Sequence, residues 1–172
     1  MAMHHSNRRP AAIAAQIQLR KTAGVSWMVH GDLERVAEIA SEDEKEPVTP
    51  HEIRTFLTQR DAFGAVCLDG GVIVGYILFR SKGRVYKLEQ IAVAKAFQLR
   101  GHGRQLLAWM QQHLDSPREK IVIAVPESAL PTQKFLRACG IKATRVDRNG
   151  FTDPPEDAFV FEWVCDKITA RR

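Results

Sequence analysis

The chain is poor in cysteine: Cys67, Cys139 and Cys165 are the only three in 172 residues, each among apolar neighbours and none near another. That pattern excludes a disulfide framework and a cysteine-based zinc site, and it fits a reducing, cytoplasmic setting. No apolar run approaches the ~20 residues that span a bilayer, so no membrane-spanning helix is expected. The opening MAMHHSNRRP has no apolar stretch of the kind a secretory signal carries. Internal repeats and low-complexity tracts are absent. So are the third glycine of the dinucleotide fingerprint and the Gly-Lys-Ser/Thr of the P-loop. No metal site is expected.

Acid is also missing where base is plentiful. Between Met1 and His30 there are four Lys or Arg and no Asp or Glu; between Arg80 and Arg104 there are seven bases and one acid, Glu89. Gly31 to Arg60 reverses this, with eight acids that include Glu42, Asp43, Glu44 and Glu46. A net charge of +5 suits a basic protein with a phosphorylated small ligand. Without an aromatic-rich basic strand, it suits a nucleic-acid binder less.

The length fits one domain with extensions. Residues 1–23 read as a basic arm, with a short helix over Ala11–Lys21; residues 24–166 form the domain, and 167–172 a basic tail. Val25–Val29 reads as a strand. Leu33, Val36, Ala37, Ile39 and Ala40 form a helical stripe. Thr49-Pro50-His51-Glu52 is a capping box with proline at the first helical position, opening a second helix. Ala62–Leu68 and Val72–Phe79 form a hairpin around Asp69-Gly70-Gly71, and Val85–Val93 is a further strand. A helix over Arg104–Leu114 precedes a buried strand, Ile121–Val125. A helix over Ser128–Ala138 ends at Gly140. Ile141–Val146 and Ala158–Val164 are strands, with Asp147–Asp157 expected as a long loop. The segment Leu88–Val125 should make a parallel crossover.

Gln98-Leu99-Arg100-Gly101-His102-Gly103 lies between a strand and a helix. Two glycines let a ligand approach the backbone, and the first helical N–H groups form an anion site. Arg100 and Arg104 add charge. Taken alone, the same segment could be a tight turn needing small residues.

That hexapeptide, following LEQIAV, resembles the Gln/Arg-x-x-Gly-x-Gly/Ala signature of the GNAT superfamily of N-acetyltransferases. The element order resembles that fold as well, over roughly Trp27 to Trp163. SALPTQKFLRACGIKA and DPPEDAFVF resemble blocks of the RimI-like subfamily, which acetylates the N-terminal alanine of a ribosomal protein. The resemblance implies an α/β (α+β) GNAT acyl-CoA N-acyltransferase fold, with a mixed central sheet of about seven strands flanked by about four helices. It implies acetyl-CoA as co-substrate, in a cleft where the strand Leu88–Val93 splays from Ile121–Val125. Ile91, Ala92 and Val93 would pair with the pantetheine arm. Amides from Gln98 through Leu99, Arg100, Gly101, His102 and Gly103 to Arg104 would hold the pyrophosphate, with Thr132 and Phe135 beside the cofactor. Acetyl would pass directly to an amine, without an acyl-enzyme.

Four positions depart from the RimI-like pattern: Ala124 where a Glu is usual, Ala129 for an Asn, Leu136 for a Tyr that protonates the leaving thiol, and Ile141 for the closing Phe. A thiol with a pKa of about 8.5 leaves without a donor near neutrality. The base matters more for a lysine, with a pKa of about 10.4, than for an α-amine near ~7.7–8.0. The chain is therefore better suited to an α-amine, as at a protein N-terminus, or to another amine of low pKa. Glu89 is the expected base, with pairing to Lys87 or Arg84 as its alternative. Strand alternation puts Lys87, Glu89, Ile91 and Val93 on one face. Tyr86 and Tyr76 are candidate replacement donors. His102 is expected to meet solvent or phosphate, and Cys139 to be core. His30 and His51 are candidate neighbours of the acceptor. The acidic loop from Ser41 to Pro50 would border the acceptor site. Three other readings stay open: a small-molecule or polyamine acetyltransferase, a cleft that binds acyl-CoA without turnover, and a ribosome- or RNA-associated adaptor using the basic arm.

Overall fold

The computed structural model describes residues 23–42, 46–114 and 119–165. The expected helix over Ala11–Lys21 and the basic tail lie outside them. Seven strands form one sheet in the order β1-β2-β3-β4-β5-β7-β6. They are β1 Gly24–Trp27, β2 Ala62–Asp69, β3 Val72–Lys82, β4 Val85–Val93, β5 Lys120–Pro126, β6 Lys142–Thr152 and β7 Pro155–Val164. Four α-helices accompany them: α1 Leu33–Ser41, α2 Pro50–Leu57, α3 His102–Gln112 and α4 Leu130–Ala138. Neighbouring strands run antiparallel except β4 and β5, which are parallel and joined through α3. This is the mixed sheet and helix count of the GNAT fold.

Each face of the sheet has its own core. On one, Leu106, Leu107 and Met110 of α3 and Leu136 of α4 bury against Ile77, Phe79, Leu88, Ile121 and Phe161. On the other, Leu33, Val36 and Ile39 of α1 and Ile53 of α2 bury against Val66, Tyr76 and Leu78. The α1 residues are those of the 3.6-period stripe. At α2 the capping box forms as the sequence implies: Glu52 N–H donates to Thr49 Oγ1 at 3.3 Å, and Thr49 N–H donates to Glu52 Oε2 at 2.7 Å. The Thr49 N–H bond, followed by one that the Thr49 hydroxyl donates to the same carboxylate at 2.7 Å, holds the Glu52 carboxyl below the usual glutamate range.

One expectation is overturned outright. Asp147–Asp157 is not a loop; β6 runs on to Thr152 and β7 begins at Pro155, closing a hairpin with a register shift between Asp147 and Phe151. β6 is an edge strand exposed along most of its length, so it shows none of the apolar alternation that marks a half-buried strand. Smaller differences fall at ends: β1 stops at Trp27, α3 begins two residues early at His102, and α4 begins at Leu130.

Among the described residues, no helix is long and apolar enough to cross a membrane.

Candidate active site

The parallel pair β4/β5 is zipped only from Val85–Lys120 to Leu88–Ile123. Past that rung the strands part, leaving Glu89–Val93 and Ala124–Pro126 unpaired with each other. Two cavities meet along this fork, sharing Ile91, Ala92 and Thr132.

The larger, about 660 Å³, is lined by Ile91, Ala92, Val93, Gln98, Leu99, Gly101, His102, Gly103, Arg104, Thr132 and Phe135. These are all the expected cofactor residues except Arg100, whose guanidinium stacks over Phe97 with 5.3 Å to the ring centre. The first bond closing α3 runs from Gln105 N–H to Gly101 O at 3.0 Å, and no side chain caps the helix. The amides of His102, Gly103 and Arg104 therefore have no helical partner and carry the positive end of its dipole. Gly101 has φ +91°, which an L side chain adopts only under strain, and a Cβ there would meet nothing within 4 Å. Gly103 answers a different need. A Cβ on it would lie 3.1 Å from Phe135 Cζ, so its bareness lets α3 approach α4. Leu99 also has positive φ, +61°. Such backbone strain collects where a chain is shaped for binding. Gln98 differs from expectation: its side-chain Nε2 donates to Val93 O at 3.0 Å, and its own N–H closes a 3-10 turn on Lys95 O. It braces the loop, and the available amides begin beyond it. Open amides, left-handed residues and a basic rim at Arg104 fit the pyrophosphate of an acyl-CoA.

The second cavity, about 260 Å³, lies on the α1 side and is lined by Tyr76, Glu89, Gln90, Ala124, Ala129 and Thr132 among others. A third, about 360 Å³, continues from it over Ile53, Phe56, Leu78 and Arg80, again touching Glu89 and Gln90. Glu89 sits at a β-bulge. Leu88 pairs with Phe79 and Gln90 with Leu78, so β4 carries one residue more than β3 there. The bulge corrects the expected alternation. Ile91 and Val93 pack with the α3 face, whereas Ala92 packs with the α1 face. Glu89 and Gln90, although consecutive, both open on the α1 side. The carboxylate of Glu89 lies 3.4 Å from Arg80 Nε and 3.1 Å from Lys87 Nζ. Arg84 pairs instead with Glu119. Ala124 and Glu89 are the first residues of their strands past the last rung, so a carboxylate on either would stand at the same fork.

Tyr86 is the clearest correction among the site residues. It is buried on the α3 face against Phe79, its hydroxyl donating to His113 O at 3.4 Å, and it lines none of the three cavities. Tyr86 precedes Leu88 by two, the spacing of one apolar face, which was the signal for core. Tyr86→Phe is expected to cost about 1 kcal/mol of stability through the lost hydrogen bond and to leave kcat/KM within about twofold; denaturant unfolding and initial rates check both. Tyr76 is the tyrosine that reaches the cleft, its hydroxyl donating to Gln90 Oε1 at 3.2 Å. The Leu136 side chain is fully buried in the α3-side core.

His102 does not turn outward. Its ring is buried beneath the loop, Nδ1 3.8 Å from Cys67 Sγ and Nε2 3.5 Å from Asp69 Oδ2. Burial pushes the Cys67 thiol up to about 11, with Asp69 adding to it, so this thiol is not a nucleophile. Burial also raises the Cys139 thiol; Cys139 packs at the edge of the α3-side core. His30 lies 3.4 Å from Arg54 Nη2; neither it nor His51 lines the cavities. In the acidic loop Glu42 is committed to the start of the anion loop, its carboxylate accepting from Lys95 N–H at 2.6 Å, while Asp43 and Glu44 lie outside the described residues. Sequence reasoning missed Gln133, whose buried Nε2 donates to Pro126 O at 3.1 Å and Glu127 O at 3.0 Å, fixing the end of β5.

A sequence model of the Acetyltransferase (GNAT) family matches residues 33–141. No curated protein matches the chain in sequence. Among solved structures, the ribosomal-protein-S18-alanine N-acetyltransferase of Escherichia coli superposes with a TM-score of 0.71 at 18% identity, covering 84% of this chain and 94% of that one. NAA60 of Arabidopsis thaliana, in complex with acetyl-CoA, gives 0.71 at 11%, covering 84% and 99%. An IAA acetyltransferase of Bacillus cereus gives 0.66 at 14%, covering 83% and 99%. At these identities the likeness is one of fold.

Proposed function

The chain belongs to the GNAT family of acetyltransferases, and from that premise we propose that it moves acetyl from acetyl-CoA to the α-amine of a protein or peptide N-terminus, by direct attack in a ternary complex. The amides of Leu99 to Arg104 take the pyrophosphate, with Arg100 and Arg104 at the rim. The free edge at Ile91, Ala92 and Val93 takes the pantetheine arm, between Thr132 and Phe135. Glu89 receives the amine proton, directly or through water.

One observation carries the reading. The cavity that runs along the amide cradle and the cavity that holds Glu89 meet at the β4/β5 fork. A thioester lying along the fork would present its carbonyl beside that carboxylate. The α-amine is favoured over lysine because, among the described residues, Glu89 is the only carboxylate lining the cavity at the fork. Near neutrality an α-amine is already partly neutral, whereas lysine is almost wholly charged.

The test is thiol release from acetyl-CoA with three acceptors: peptides with free N-termini, lysine peptides with blocked N-termini, and spermidine. Free N-termini should react fastest. Faster reaction at lysine or spermidine would overturn the acceptor. No release with any acceptor, alongside tight acetyl-CoA binding, would establish the binding-only alternative, which the side chains at Ala124, Ala129 and Leu136 favour.

A further inference from the structure

We infer that Glu89 and Gln90 form a two-point clamp for an α-amino-acyl group, Glu89 taking the amine and the Gln90 amide donating to the carbonyl oxygen beside it. The inference rests on the acceptor reading above and narrows it: an amine with no neighbouring carbonyl lacks the second point.

In a regular strand, consecutive side chains leave opposite faces. The bulge opposite Leu78–Phe79 cancels that alternation, so two neighbouring residues share the α1 face, their Cα atoms only ~3.8 Å apart. Both line the same two cavities. One supplies an acceptor-only carboxylate and the other an amide, which offers both donor and acceptor. The amide oxygen is turned toward Tyr76. Its phenol is nearly fully buried and donates to Gln90 Oε1. The Gln90 Nε2 is thereby turned away from Tyr76, and among the described residues it has no hydrogen-bond partner. The cleft thus presents an N–H donor next to a carboxylate.

That pair is matched by a group with a cation and a carbonyl oxygen close together. The N-terminal residue of a peptide has both, as does an amino-acid amide. A polyamine and a lysine side chain have the cation alone. Lys87, which shares the Glu89 carboxylate, is half-exposed, so yielding its place to an acceptor costs little. Beyond the clamp, Ile53, Phe56 and Leu78 give the remainder of the acceptor an apolar wall.

The test compares alaninamide with propylamine in the wild type and in Gln90→Met, which keeps the side chain's length and removes its donor. Each amine is compared with itself across the two proteins, so its intrinsic basicity cancels. The ratio of kcat/KM for alaninamide to that for propylamine should fall about tenfold in Gln90→Met, mainly through KM, as befits one hydrogen bond. Tyr76→Phe, which frees the amide to turn, should lower the same ratio by about threefold. An unchanged ratio in Gln90→Met overturns the clamp. If the wild type acetylates neither amine, the transfer reading fails on its own. The clamp is then judged by equilibrium binding of the two amines to the protein saturated with CoA. A preference for alaninamide that Gln90→Met removes upholds it, and equal binding overturns it.

Discussion

Gly101→Glu is expected to weaken CoA binding by at least a hundredfold, measured by calorimetric titration. Two effects combine. At φ +91° any L residue is strained, by about 1–2 kcal/mol. Gly101 lines the cavity where the pyrophosphate is to lie, and a Cβ there meets nothing within 4 Å, so no neighbour holds a new side chain out of it. A carboxylate ~5 Å from a phosphate charge costs about 3 kcal/mol at an effective dielectric of about 20. Gly101→Ala separates the two, because it adds the strain without the charge. Its loss of affinity should be roughly tenfold or less. Raising the salt should recover part of the affinity of the Glu variant and little of that of the Ala variant. Wild-type affinity in Gly101→Glu would remove the pyrophosphate from this loop.

Glu89→Gln is expected to lower kcat by about a hundredfold or more, the lower range of what a positioned base contributes, with CoA affinity within about twofold. The substitution is nearly isosteric, and Arg80 keeps Asp61 at 3.0 Å, so the fold should not move; a thermal melt checks that. The pH profile separates a proton acceptor from a positioning residue. Without the base, only amine molecules already neutral in solution can attack. kcat/KM should then climb through neutrality toward the acceptor's own pKa, ~8 for an α-amine. Full activity in Glu89→Gln would end the assignment of Glu89 as base.

The parts of the site that depend on local chemistry were legible in the sequence. Gln98-x-x-Gly-x-Gly between a strand and a helix announced a bare turn ahead of open helical amides, because unpartnered helical amides and glycines need no distant partner to form. The α2 capping box was legible for the same reason. What escaped depends on neighbours that the local sequence does not name. The bulge is set by pairing with β3, and period-two alternation put Glu89 on the wrong set of faces. A trace was present: Leu88 and Ile91 stand three apart with Glu89 and Gln90 between them, one residue too many for a regular strand. His102 gave no such trace. Its inward turn is dictated by Cys67 and Asp69 on β2, some thirty residues earlier. The continuation of β6 past Val146 was unreadable because an exposed edge strand is held by backbone bonds to β7, which any sequence can make.

The parting of β4 from β5 has a further consequence. An ordinary sheet has two borders where backbone groups go unanswered, and this one has four, two of them in its middle. Unanswered borders invite foreign strands and hence aggregation. Here the inner pair faces a crevice bounded by Thr132 and Phe135 on one side and Tyr76 on the other. A pantetheine arm lying there, as proposed, would answer the inner borders as a paired strand does. On the proposed reading the co-substrate would stand in for an eighth strand, and binding it should raise the protein's melting temperature.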